Sequence, residues 1–125
     1  MRKPSSTLTP QELSIMKVVW RVDTPTVRNV YEALRKTRPI AYTTVMTMMN
    51  VLEGKGYLEK KGVGKAHVYT PTKPRHLVLG AMVRDFVDRV FDGASGSLLL
   101  HLAKDSRLTE RQRKAVHRII EEMDE

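Results

Sequence analysis

The stretch YTTVMTMMNVLEGKGYLEKKGVGKAHVYTP, residues 42–71, decides how this chain folds. Its first part has the period of a helix. Val45, Met48, Met49 and Leu52 recur at i, i+3, i+4 and i+7, so a helix from about Tyr42 to Glu53 turns one face to a core. Gly54 and Gly56 stop it. From Tyr57 the period shortens to two. Tyr57–Lys61 and Ala66–Thr70 read as paired strands, Gly62-Val63-Gly64-Lys65 as the turn between them, and Pro71 as the end of the return.

The outward face of that helix carries Thr43, Met46, Thr47 and Asn50, with Thr44 beside them. It has no acidic residue and no long charged side chain, where a helix facing only water more often shows Glu and Lys. Short hydroxyls, an amide and a flexible thioether suit the base edges of a DNA major groove, where Thr and Asn hydrogen-bond and apolar atoms meet the thymine methyl. Taken alone, the helix is equally consistent with an ordinary solvated face. Lys60, Lys61 and Lys65 cluster toward the hairpin tip. One such lysine is loop solvation, but three beside an acid-free helix face point to phosphate.

Two more helices precede this stretch. Thr9, Pro10 and Glu12 form a start signal, with Thr-x-x-Glu as a capping box and Leu8 with Leu13 as a hydrophobic staple. Leu13, Met16 and Trp20 follow as an apolar stripe, with Val19 beside it. The second helix is expected from Thr24-Pro25-Thr26 to about Lys36, with Val27, Val30, Tyr31 and Leu34 inward and Arg38-Pro39 ending it. Helix, helix, helix, hairpin within roughly 65 residues is the order of a winged helix-turn-helix, whose third helix enters the major groove while the wing follows the backbone.

Beyond the Pro71-Thr72-Lys73-Pro74 connector the chain changes character. Residues 1–75 hold 14 Lys and Arg against 5 Asp and Glu, a net of +9, whereas residues 76–125 hold 8 against 9, a net of −1. The basic part is the candidate nucleic-acid binder. The second part is expected to be three amphipathic helices. His76–Phe91 carries Leu79, Met82, Val83, Phe86, Val87 and Val90. Ser97–Ala103 carries Leu98, Leu99, Leu100 and Leu102, and is apolar enough that burial is expected. The last helix opens at Thr109 with Gln112 as a capping box, and sets Val116, Ile119, Ile120 and Met123 on one face. Fifty residues bury too little surface to stand alone, and a second copy of the chain is the economical cover, the alternative being a monomer in which this part folds back on the winged helix. The expected fold is mainly α with a small β hairpin, as a winged-helix DNA-binding domain at 1–75 and a helical dimerisation domain at 76–125.

Composition excludes several other classes. There is no Cys among the 125 residues, so disulfides, thiolate metal sites and Cys nucleophiles are impossible. No apolar run is long enough for a membrane span, and the opening residues are not those of a signal peptide, so a cytoplasmic protein without membrane insertion is expected. His67, His76, His101 and His117 lack metal-ligand spacing. Asp85, Asp88 and Asp92 share a helix face, but the interleaved Arg84 and Arg89 make helical ion pairs the simpler reading. No phosphate loop or nucleophile–base pattern occurs. Neither an enzyme nor a cofactor is expected. The remaining alternatives are a non-specific nucleoid-associated or RNA-binding basic protein, and a module that docks an acidic protein.

The ordered set Leu8-Thr9-Pro10-Gln11-Glu12-Leu13 through Ile15-Met16 to Trp20, Val27-Arg28-Asn29-Val30-Tyr31-Glu32-Ala33-Leu34, Tyr42-Thr43-Thr44-Val45-Met46-Thr47, Lys55-Gly56-Tyr57-Leu58 and Ala66-His67-Val68-Tyr69-Thr70-Pro71 resembles the penicillinase-repressor (BlaI/MecI/CopY) family. The resemblance implies a dimeric winged-helix repressor of a dyad-symmetric double-stranded DNA operator, often with TACA/TGTA half-sites. Such repressors act near genes for β-lactam resistance or metal handling. The mechanism expected from the residues themselves has Thr43, Thr44, Met46, Thr47 and Asn50 reading bases or neighbouring phosphates, and Lys60, Lys61 and Lys65, joined by Arg28, binding phosphate. Leu79, Val83, Phe86 and Leu99 are expected to hold the dimer. In β-lactam-responsive members a membrane sensor-protease system cuts the dimerisation helix at an Asn-Phe bond, and the matching bond here is His101-Leu102. The chain departs from the family at Val51, where Arg is common, and at Met46, where several relatives are basic. Lacking Cys, it cannot sense copper through thiolates.

Overall fold

The computed structural model describes residues 7–63 and 66–123. Along them run α1 (Pro10–Val19), α2 (Val27–Leu34), α3 (Tyr42–Gly54), β1 (Leu58–Val63), β2 (Ala66–Pro71), α4 (Arg75–Val90), α5 (Ser95–Ala103) and α6 (Glu110–Met123). The fold is mainly helical, a winged helix followed by C-terminal helices. The chain divides into two compact units, residues 1–79 and 80–125. The division falls inside α4, about one turn beyond the proline-flanked connector.

In the first unit each helix starts where its local chemistry directs. Thr9 caps α1, with its Oγ1 accepting from the Glu12 N–H at 3.2 Å while its own N–H donates to Glu12 Oε1 at 2.8 Å. Pro10 occupies the first turn, where its missing N–H costs nothing. Thr26 caps α2 through the Asn29 N–H, and Asn29 Nδ2 donates to the Thr24 carbonyl at 2.9 Å. This helix ends at Leu34, two residues short of the expected Lys36. Gly56 ends α3 with φ +88, a conformation that favours glycine, and the Tyr57 N–H then closes on the Leu52 carbonyl at 2.9 Å.

The core is built from Ile15, Met16, Val18 and Val19 of α1, Val30 and Leu34 of α2, and Val45, Met49 and Leu52 of α3, closed by Leu58 and Tyr69 of the hairpin. This corrects the expected inward stripe of α1. Leu13 and Trp20 are only half-buried, and Ile15 takes the central place. The inward face begins at Glu12, a charged residue that an apolar pattern passes over.

Strands β1 and β2 pair antiparallel from Leu58 opposite Pro71 to Val63 opposite Ala66. Gly62 and Val63 therefore belong to the strand, not to the turn as expected. The ladder does not stand alone, because the Tyr69 N–H donates to the Pro25 carbonyl at 2.8 Å and Pro25 is fully buried. Thr72 closes the base of the hairpin, with its Oγ1 donating to the Gly56 carbonyl at 2.6 Å and its N–H to the Tyr57 carbonyl at 3.0 Å.

The second unit is thinly packed. Thr109 and Gln112 form the expected capping box, with bonds of 2.9 and 3.1 Å. The Phe91 ring meets Phe86 edge-on at 5.9 Å and the His101 ring at 5.5 Å. In the turn before α6, Arg107 donates to Asp105 from both its guanidinium and its backbone N–H, which holds the Asp105 carboxyl down at about 2. The expectation that α5 is buried fails for the single chain. Leu100 is 52% and Leu102 38% exposed, Leu98 and Leu99 are half-buried, and Ala103 alone of this helix is buried. Val83, Phe86 and Val90 of α4 and Ile119 and Met123 of α6 are also exposed. Three short amphipathic helices have more apolar face than they can turn on one another.

One ion pair fastens α1 to the end of α3. Lys55 Nζ lies 2.8 Å from Glu12 Oε1, the oxygen that also receives the Thr9 N–H, and Glu12 is only 5% exposed. Burial pushes the Glu12 carboxyl up, but Lys55 and the Thr9 N–H more than offset it and leave it below its ordinary value. The stabilisation is therefore complete above the ordinary carboxylate range and is lost as the pH falls through the lowered value. Replacing Lys55 with Met leaves a buried carboxylate without its cation and is expected to cost about 2 kcal/mol at pH 7. In denaturant titrations at pH 7 and pH 3, the gap between K55M and wild type should shrink at the lower pH. An equal gap at both would show that Lys55 acts through packing alone.

Candidate nucleic-acid interface

Helix α3 presents Thr43, Thr44, Met46, Thr47 and Asn50 to solvent while Val45, Met49 and Leu52 hold it to the core. The exposed face is a consequence of that anchoring, since residues three and four apart share a side. Met46 is 40% exposed, a large apolar side chain that no neighbour covers fully. Gln11, at the start of α1, joins Thr43, Thr44, Thr47 and Met48 around a cleft of about 310 Å³. Beside it, Gln11, Arg38, Pro39, Ile40, Ala41 and Thr44 line a second cleft of about 290 Å³. Sequence reasoning had used Gln11 only within the family pattern and Arg38 only as a helix terminator. The period of α3 carries no information about which other elements flank it.

The wing is joined to α3 by side chains. Asn50 Oδ1 accepts from the Tyr69 hydroxyl at 2.9 Å and lies 3.4 Å from Lys60 Nζ. Lys60 stands opposite Tyr69 in the ladder, with its ammonium 5.8 Å from the ring centre. Lys60 and Lys61 are consecutive in β1 and so project to opposite faces of the hairpin. Lys60 and Lys61 therefore do not share one face of the hairpin, as a single cluster would require. Lys60 turns toward α3 and Lys61 is exposed on the other face. Lys65 lies outside the described residues.

Arg28 approaches the same surface from α2. Its Nη1 pairs with Glu32 Oε1 at 3.4 Å, and its guanidinium carbon lies 5.9 Å from the centre of the Tyr42 ring. Tyr42 in turn meets Tyr31 edge-on at 5.5 Å. The pair with Glu32 is exposed on both sides, so it is weak and free to exchange for another anion. Of the expected dimer contacts, Val83 and Phe86 are exposed, and Leu79 and Leu99 half-buried. His101 and Leu102 are exposed on α5. Among the described residues no group of three His, Asp or Glu side chains is placed to hold a metal ion, and Asp85 instead pairs with Arg89 at 3.0 Å. Among them, too, no helix is long and apolar enough to cross a membrane.

A three-helix core whose third helix exposes Thr43, Thr44, Met46, Thr47 and Asn50, followed by a lysine-bearing wing, defines a DNA-binding transcription regulator. The Penicillinase repressor family profile matches residues 8–122. The chain belongs to that family, of the BlaI/MecI type, whose members are transcriptional repressors and not enzymes. It is 33% identical over 115 residues to the transcriptional regulator BlaI of Mycobacterium tuberculosis, covering 90% of this chain and 82% of that one. It is 28% identical over 111 residues to the penicillinase repressor of Bacillus licheniformis, covering 89% and 87% respectively. The solved DNA-binding domain of the repressor BlaI superposes with a TM-score of 0.52 at 31% identity, covering 59% of this chain and 90% of that domain.

Proposed function

We propose that this repressor acts in the cytoplasm as a homodimer on a dyad-symmetric operator, with residues 1–75 binding DNA and residues 76–125 pairing the two chains. The observation that carries the reading is the exposed face of α3 made of the uncharged Thr43, Thr44, Met46, Thr47 and Asn50, within the part of the chain whose net charge is +9. Thr43, Thr44, Met46, Thr47 and Asn50 face the groove or the phosphates beside it. Lys60, Lys61, Lys65 and Arg28 neutralise backbone charge. Repression follows when the occupied operator overlaps a promoter and excludes polymerase.

Selection of bound fragments from a random duplex pool at ~150 mM salt tests this directly, because weak non-specific binding is suppressed there. A two-fold symmetric motif with half-sites about one helical turn apart is expected. A motif-free pool with steep salt dependence would favour a nucleoid-associated or RNA-binding protein instead. Within the same assay Thr47→Ala should alter sequence preference. Lys61→Ala should weaken all duplexes about equally and flatten the salt slope by about one unit.

Pairing through the second unit is supported by the exposed apolar side chains of α4, α5 and α6, with Val83 and Phe86 among the contacts and Leu79 and Leu99 completing them. Replacing Phe86 with Glu should turn a dimer into a monomer by sedimentation, retaining half-site binding but losing preference for the full dyad. A monomeric wild-type chain at micromolar concentration would overturn the assignment.

Release by a membrane sensor-protease system is assigned to the His101-Leu102 bond, which is exposed on α5 in the single chain. Mass spectrometry after induction should find a fragment ending at His101. An intact chain would place release elsewhere.

A further inference from the structure

The Asn50 carboxamide is oriented before it meets any base. Its side-chain oxygen accepts from the Tyr69 hydroxyl at 2.9 Å, with Lys60 Nζ 3.4 Å away. An ammonium has no lone pair, so the Asn50 atom facing it is the oxygen, and this fixes which way the amide points. Tyr69 is 2% exposed and its own N–H is tied to the Pro25 carbonyl, so the hydroxyl is held from the core side of the wing. Two donors thus converge on one acceptor with two lone pairs. The amide nitrogen carries two N–H groups, and no described residue accepts from them.

An unrestrained asparagine reads adenine by accepting from N6 while donating to N7. Here the accepting half is already engaged. The remaining half donates only, which suits guanine, whose O6 and N7 both accept, and opposes adenine, whose N6 amino group also donates. We propose that Tyr69 is a specificity-determining positioning residue that makes Asn50 a guanine reader, with Lys60 holding the same amide orientation. This rests on the operator-reading function proposed above.

The test is duplex selection with the full chain as wild type, Tyr69→Phe and Asn50→Asp, with thermal melting to check folding. In wild type, one position of each half-site should favour guanine over adenine by about tenfold, the order of one two-point base contact. Removing only the Tyr69 hydroxyl frees the acceptor, so Y69F should lose that preference or shift it to adenine while the rest of the motif stays. Asn50→Asp keeps the acceptor for Tyr69 and Lys60 but loses both donors, so guanine should give way to cytosine, whose amino group donates. The N50D arm stands even if Y69F melts early.

Adenine in the wild-type motif at the position that N50D alters would overturn the proposal. So would a folded Y69F with an unchanged guanine there. If wild type yields no motif at all, operator reading itself fails and this inference falls with it, an outcome distinct from a motif that ignores Tyr69.

Discussion

A single carboxylate oxygen, Glu12 Oε1, receives both the Thr9 N–H that starts α1 and the Lys55 ammonium at the end of α3. Capping boxes normally end their work within one helix turn. This one reaches across 43 residues, so the geometry that begins the first helix is tied to the end of α3. Lys55 is the C-cap residue of α3, and Gly56 follows it in the left-handed conformation that sends the chain into the wing. The direction of the hairpin is thus coupled to α1 through one buried pair. A buried pair gains little net stability over an apolar substitute, but it tolerates fewer alternative arrangements. For a DNA reader, in which a helix and a wing must meet one duplex together, a defined relative orientation matters more than added stability.

The same economy explains why the two units differ. The first closes its core with residues from three helices and a hairpin, and Ile15, Met16, Val30, Val45, Met49 and Leu52 are completely buried. The second has three helices, of which α6 buries no residue and α5 buries Ala103 alone. Its charge is close to neutral, so repulsion does not hold surfaces of this kind apart. Exposed Val83, Phe86, Leu100 and Ile119 are costly in water and gain most from a like surface.

Much of this was legible in the residues. Helix starts were plain because caps are local, with Thr9, Thr26 and Thr109 each bonding a backbone N–H three residues on. The inward residues of α3 followed from a clean period, and the hairpin from the change of period after Gly56. What failed was what depends on distant neighbours. The inward face of α1 is out of phase with the apolar pattern because its first member is charged, and Lys55, far along the chain, joins the Thr9 N–H in making Glu12 tolerable there. Lys60 and Lys61 look equivalent in sequence, yet strand alternation and the Tyr69 register send them to opposite faces. The apolar character of α5 is plain in the sequence, but its burial needs a surface that the second unit by itself does not provide.

The corrected picture also changes how affinity and specificity are divided over the interface. Lysines in a row at the wing tip would act as interchangeable point charges, adding affinity for any duplex. With Lys60 instead drawn to Asn50 and the Tyr69 ring, one of those charges is joined to the base-facing helix. The Lys60 ammonium has three N–H donors and gives one to Asn50, so it can reach a phosphate without leaving the amide, and backbone contact by the wing and the hydrogen bonding of α3 are not independent. Lys61, on the other face, carries no such obligation. Under the proposed function, two adjacent residues of one type would therefore act differently, one coupling charge to sequence and the other contributing charge alone.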